Sequence, residues 1–546
     1  MSKPRFGQRP WWFSSNVLAM LLVGGAMAVS MYRVLSIERE VYDPDRIVIR
    51  ITHWQLELGF RGGLETVIDA YEQLHPGVDI VQLPVSERVY GPTLNTHLLA
   101  GTAPDIAEIG MSQLASQDET MARFYIPLGD EIDAPNPYNR GTDLENVAWR
   151  NTFIDGMRGG FREKLQDFFV APTSIHSVRM FYNSDLLERA TGSPDAPASF
   201  GKLMETCDRL RNLGAREGRT IVPIAGSSYS FGIFQSMYLV PFTSSYESKL
   251  DLDLDGGIGG RETYIGLLNG AWSMDDPSLR CYFDQQRQLA AQFSPGFLAM
   301  GREQAAFLFV QGRAGFIVTG SWDATSLIRQ ARRFKIGICD LPMPAPDEPG
   351  GQYVSGRINE AATSAGGGFG VYKLSRHRER AVDFLKFLTS VKYNGMLNTV
   401  AGWPPATIGA VIEPHLRAFM PSPVGFSARL NMRYGAHITA RVDGELKAFV
   451  LGEIEYDELA RNVHTAFMDP RYGADHAWSM DADAAQRHAR DLERVLAVQH
   501  VRGVMRGEPD ASAKYDRALS AQIRLNNGRN IRHQFRQVRG KTLPRL

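Results

Sequence analysis

Residues 251 to 262 read Asp251-Leu252-Asp253-Leu254-Asp255-Gly256-Gly257-Ile258-Gly259-Gly260-Arg261-Glu262. That spacing, D-x-D-x-D-G-x5-E, is the pattern of a helix–loop–helix calcium loop. The carboxylates of Asp251, Asp253 and Asp255, the Gly257 carbonyl and a bidentate Glu262 would wrap one Ca2+ in hard oxygen. Gly256 permits the sharp turn, and Ile258 supplies the apolar residue usual at its position. Tyr264-Ile265 and Leu267-Leu268 would begin an exit helix, whereas Thr243 to Leu250 makes a poor entering one. A solvated acidic loop with this spacing by accident is the alternative. Either reading is structural, and catalytic signatures are missing elsewhere. The chain has no phosphate loop, no Gly-x-Gly-x-x-Gly after a strand, no His-Glu-x-x-His and no Gly-x-Ser-x-Gly. Carboxylates are too plentiful for counting to exclude a glycosidase pair, but nothing singles one out. Cys207, Cys281 and Cys339 are widely spaced, which excludes a disulfide framework and a zinc site of the usual spacing.

The elements that would position such a loop belong to a large chain. At 546 residues it exceeds what one compact domain usually holds, so at least two lobes are expected. Hydrophobic residues make up 44% and charged ones 22%, as in ordinary folded proteins. The 60 basic and 60 acidic residues cancel, so no global field points to nucleic acid. From Ala521 onward the charge is basic only, Arg524 to Arg545, and a solvated end is the plainest reading of it. At the other terminus Lys3, Arg5 and Arg9 precede an uncharged stretch from Trp11 to Tyr32. It is long enough for the roughly 20 apolar residues of a membrane-spanning helix, with the body on the far side from the positive flank. A membrane anchor is therefore expected, with a signal peptide cleaved after Ala26-Met27-Ala28 as the alternative. Both readings place the body outside the cytoplasm.

Downstream, Arg46–Ile51 reads as a strand, Glu65–Leu74 as a helix and Val78–Val81 as a second strand. Leu94–Ala100 reads as a helix and Asp105–Ile109 as a third strand. Strand and helix in alternation predict an α/β fold with a parallel sheet. Phe168–Val170, Met180–Tyr182, Phe316–Val318 and Lys335–Ile338 continue the strands, with helices over Phe200–Leu213, Arg378–Leu388 and Glu455–Phe467.

At several of these elements the sequence resembles the family 1 bacterial extracellular solute-binding proteins, which include maltose- and oligosaccharide-binding proteins. Ile51-Thr52-His53-Trp54, Leu98 to Asp105, Tyr182 to Leu187, Gly312 to Trp322, Gly366 to Leu388 and Gly402 to Ala406 match family segments in order. The resemblance spans roughly residues 47 to 470. It implies a two-lobed periplasmic-binding-protein fold of type II with hinge-linked lobes, and the N-terminal transmembrane helix expected from Trp11 to Tyr32 would precede it. Lobe 1 would be 47–172 with 338–395, and lobe 2 would be 173–337 with 396–470, carrying an insertion near 240–270. Residues 1–46 would form the anchor and linker, and 471–546 a helical, basic C-terminal extension.

The implied function is delivery of a sugar or oligosaccharide to the permease subunits of an ABC importer, without catalysis. A sugar presents hydroxyls and an apolar C–H face, so its site needs aromatic platforms beside polar groups. By resemblance Trp54, Trp322 and Trp403 lie at the cleft, each in or beside a loop. His176 and Tyr229 stand where relatives place a polar contact and an aromatic ring. Ser112 and Gln113 follow the third strand and would meet hydroxyls, and Gly367 in the Gly366–Gly368 run permits close backbone approach. Some relatives also carry a calcium loop like that of 251–262. Alternatives are a carbohydrate lyase or hydrolase, and a ligand-sensing module that reports to a membrane kinase.

Overall fold

The computed structural model describes residues 46–480 apart from 57, 111–116, 163–164, 166, 253–255, 361–364 and 423, together with scattered residues between 497 and 523. Strand β1 (Ile47–His53) leads to helix α1 (Leu58–Leu74), β2 (Val78–Pro84), α2 (Glu87–Ala100) and β3 (Ile106–Glu108). After β4 (Ala171–Ile175) come β5 (Val178–Asn183), α3 (Phe200–Arg216), β6 (Val222–Ala225) and α4 (Ser228–Thr243). Then follow α5 (Arg302–Val310), β7 (Ala314–Gly320), α6 (Ser321–Gln330), β8 (Ile336–Cys339), β9 (Ala365–Val371), α7 (Arg378–Leu388) and α8 (Val391–Ala401).

Two sheets result. The first has the order β2-β1-β3-β9-β4, with β1 parallel to both β2 and β3 and β9 antiparallel to its neighbours. The second has the order β8-β5-β7-β6, with only β6 and β7 parallel. Each sheet has its own core. Ile49, Ile51, Leu64, Ile68, Phe369 and Phe384 fill the first, and Met180, Leu203, Leu210, Phe283, Phe316 and Val318 the second. Burying each such side chain contributes roughly 1.5–3 kcal/mol, so each sheet anchors a separate lobe. The fold is two-lobed and α/β.

Gly62-Gly63 would ordinarily argue against a helix, yet α1 runs through them. The reason is α8, which packs so closely that a Cβ at residue 63 would come within 2.7 Å of the Leu397 carbonyl oxygen. Helix propensity yields here to the contact between two helices.

Between the lobes the chain crosses three times: from Ile175 to Val178, from Cys339 to Ala365, and after Thr407. Beyond the last crossing, helices Gly435–Val450 and Tyr456–Met468 rejoin the second core. The three connections meet at Arg179. Its guanidinium pairs with both oxygens of Glu360, lies 3.1 Å from Asp340, and donates to the carbonyls of Ala418 (2.9 Å) and Met420 (3.3 Å). Glu360 in turn accepts the Ser422 N–H at 3.0 Å, and the Ser177 hydroxyl donates to the Phe419 carbonyl at 2.6 Å.

The expected transmembrane helix, and with it the anchoring of the chain to a membrane, requires correction. Among the described residues no helix is long and apolar enough to cross a membrane. Even α1 and α3, at 17 residues each, fall short of the roughly 20 apolar residues needed, and both carry charged side chains. The stretch from Trp11 to Tyr32 lies outside the described residues.

Candidate functional site

Four strands end at the boundary between the lobes, and the residues just past their carboxyl ends converge there. His53 closes β1 and Trp54 follows; Glu108 closes β3; Ile175 closes β4 and His176 follows; Gly320 closes β7, and Ser321 and Trp322 open α6. Crevices at the carboxyl ends of strands are where α/β sheets bind ligands.

His176 is the centre of the group. Its Nδ1 lies 3.1 Å from Ser321 Oγ in the second lobe, and its Nε2 lies 3.3 Å from Ser174 Oγ in the first. The imidazole stands edge-on to two indoles, Trp322 at 5.3 Å and Trp403 at 5.2 Å between ring centroids. Desolvation in this packing lowers its pKa from 6.5 to about 4, so near neutral pH the ring is uncharged. One nitrogen then donates and the other accepts, a pairing that the two serine hydroxyls satisfy in either tautomer.

Trp322 sits in the first turn of α6, half-buried, and its Nε1–H is buried with no acceptor among the described residues. A buried donor left unpaired costs about 1–3 kcal/mol, which a ligand oxygen would recover. Tyr229 lies edge-on to Trp322 at 6.5 Å and is 44% exposed. Ser227 places it by capping α4, its hydroxyl accepting the Ser230 N–H, so that Tyr229 falls in the first turn. The Arg302 guanidinium of α5 covers the Tyr229 ring at 5.8 Å. Trp403 is only 5% exposed and packs on Phe60 at 5.1 Å, so it is a wall of the first core with one edge toward His176.

Trp54 stands a little apart, half-buried and edge-on to Tyr90 at 5.2 Å. Gly367 is buried in β9 with φ +58°, and a Cβ there would come within 2.9 Å of Thr173 Oγ1 and 3.2 Å of Ser174 Oγ. Both its conformation and its clearance require glycine.

Residues 60–395 match the family described as bacterial extracellular solute-binding protein. The chain belongs to that family. A putative binding protein of Brucella abortus is 24% identical over 355 residues, covering 62% of this chain and 72% of its own. The solved structure of a chitin oligosaccharide binding protein is 16% identical with a TM-score of 0.54, covering 77% of this chain and 97% of that one. Maltose-bound MalE3 of T. maritima is 19% identical with a TM-score of 0.53, covering 76% and 98%. At these identities the structural likeness shows the fold.

Within this solute-binding fold the structure brings His176, Tyr229, Trp322 and Trp403 together and sets Gly367 behind them. Ser112 and Gln113 lie outside the described residues. Sequence reasoning passed over Gln55, Glu108, Ser174 and Ser321. The legible signal for Glu108 was a carboxylate between Ile106-Ala107 and Ile109, at the far end of the third strand from Asp105.

The 251–262 loop lies in the second lobe, where Leu252 and Ile258 are buried. Glu262 opens helix Gly260–Leu268 and is 1% exposed. Its Oε1 accepts the Leu252 N–H and its Oε2 the Gly259 N–H, each at 2.7 Å, and Asp251 Oδ2 accepts the Gly256 N–H at 3.0 Å. Asp253 and Asp255 lie outside the described residues, and among the described ones no three His, Cys, Asp or Glu gather to hold a metal. Gly257 is half-buried on the turn.

An acid-sensitivity follows from the two buried imidazoles. His53, whose Nε2 lies 3.1 Å from Gln82 Oε1, is lowered to about 4 by burial, as is His176. Unfolded histidines take up protons near pH 6.5 while these two wait until about 4. Stability is therefore expected to fall as pH drops across that window. A melting series from pH 7 to 4 should show the fall, and His176→Asn should make it shallower, leaving the His53 share. An identical slope in that variant would remove His176 as a cause.

Proposed function

We propose that this protein binds a sugar or oligosaccharide between its lobes and delivers it to the permease subunits of an ABC importer. The observation that carries the reading is the cluster of Trp322, Trp403, Tyr229 and His176, which draws its members from both lobes at strand ends. Indole and phenol rings offer faces for C–H surfaces, while Ser174, Ser321, the imidazole and the Trp322 N–H offer partners for hydroxyls. The sugars named for the chitin oligosaccharide and MalE3 structures support this class of ligand. Closure would turn on the three crossings, which is hinge motion around a bound solute. A thermal-shift screen of mono- and oligosaccharides tests it, because bound ligand stabilises by mass action. A dose-dependent rise in Tm for at least one sugar is expected, and a flat response across the set would remove the reading.

Calcium at the 251–262 loop belongs to the same proposal. The support is the spacing and an all-oxygen donor set without His or Cys. Binding would exchange the two N–H bonds at Glu262 for metal–oxygen bonds and pin the insertion onto the second lobe. Calorimetry should find a dissociation constant on the order of 0.1–1 mM. Chelation should lower Tm, and Glu262→Gln should abolish that sensitivity. No binding heat at several times ~1 mM calcium would leave the spacing a coincidence.

A further inference from the structure

Glu108 is fully buried. An ionised carboxylate is placed out of water only where donors meet it. Two of those donors come from the loop leaving β1: the Gln55 Nε2–H reaches Oε1 at 2.7 Å and the Trp54 N–H reaches Oε2 at 3.2 Å. The same carboxylate lies beside Gly367, where a Cβ would approach Oε1 to 3.8 Å and Ser174 Oγ to 3.2 Å. Ser174 is the partner of His176, so Glu108 borders the ring cluster.

The geometry points to Glu108 as a positioning residue that sets the Gln55 carboxamide as a specificity contact for a ligand hydroxyl. This rests on the sugar-binding reading. A carboxylate only accepts, so it compels the amide to turn its NH2 inward and its carbonyl the other way. Gln55 is half-buried, and its Oε1 accepts no hydrogen bond from a described residue. That oxygen is the acceptor left for a donor in the cleft. A hydroxyl placed there gains a bond that a deoxy or ether analogue forfeits, and sites built on such bonds discriminate strongly. Glu108 itself does not touch the ligand.

Glu108→Gln is nearly isosteric and still accepts the Trp54 N–H, but its own NH2 forces the Gln55 amide to reverse. Gln55→Met removes the amide at a half-buried position outside the regular elements. Calorimetric titration with maltotriose, raffinose and chitotriose compares the wild type, both single variants and the double variant. For whichever probe the wild type binds best, Gln55→Met is expected to weaken affinity about tenfold and Glu108→Gln severalfold. The double variant should be no weaker than Gln55→Met, because the carboxylate acts only through the amide. A purely structural Glu108 would instead give additive losses, and additivity, or wild-type affinity in either single variant, overturns the inference. A wild type that binds none of the three probes overturns the sugar reading itself.

Discussion

Arg179→Met should lower the stability of the folded protein by about 3–5 kcal/mol, the usual cost of removing one partner of a buried ion pair. The Arg179 and Glu360 side chains are 7% and 13% exposed, so neither charge has water to fall back on. Methionine would fill much of the volume but would strip Glu360 of its guanidinium. It would also take a donor from the carbonyls of Val178, Ala418 and Met420. The Asp340 pairing adds little, because that carboxylate is 68% exposed and screened by solvent. Urea unfolding of the ligand-free protein measures the loss. Pairing the substitution with Glu360→Leu should restore part of it, since the stranded charge is then gone. A change below about 1 kcal/mol, the range of exposed pairs, would show that Arg179 does not hold the three connections together.

Trp322→Ala carries the second large effect, this time on binding. The indole offers a ring face and a buried N–H with no acceptor among the described residues, and alanine keeps neither. Loss of a stacked aromatic is expected to cost at least ~1 kcal/mol, a fivefold or greater rise in Kd. The side chain is half-buried and lies in a helix first turn, so the variant should fold. A far-ultraviolet spectrum and melting curve establish that folding before the titration is read. Wild-type affinity in the folded variant would take Trp322 out of the site.

How far these features were legible in the sequence depended on the range of the contacts behind them. The opening strand, helix Arg378–Leu388 and the strand around Ile336 follow from local periodicity, and the structure places them within a few residues of expectation. Helix α1 was harder: its glycine pair masks seven residues of helix, and only the approach of α8 explains them. His176 and Trp322 stand 146 positions apart in sequence, and nothing local to either announces the other. They were singled out by likeness to a family, and the strand ends bring them to 5.3 Å. Glu108 and Gln55 lack such a marker, since their pairing spans 53 residues. The Arg179 hub spans up to 241, so no reading of composition or spacing reaches it.

Equilibrium dialysis of the purified protein against an oligosaccharide, followed by chemical recovery of the ligand, tests the central claim most directly. Saturable uptake of one sugar per chain, recovered intact after prolonged incubation, is the expected result. Recovery of shortened or unsaturated products would reveal a hydrolase or lyase, and absence of saturable uptake would contradict sugar binding altogether.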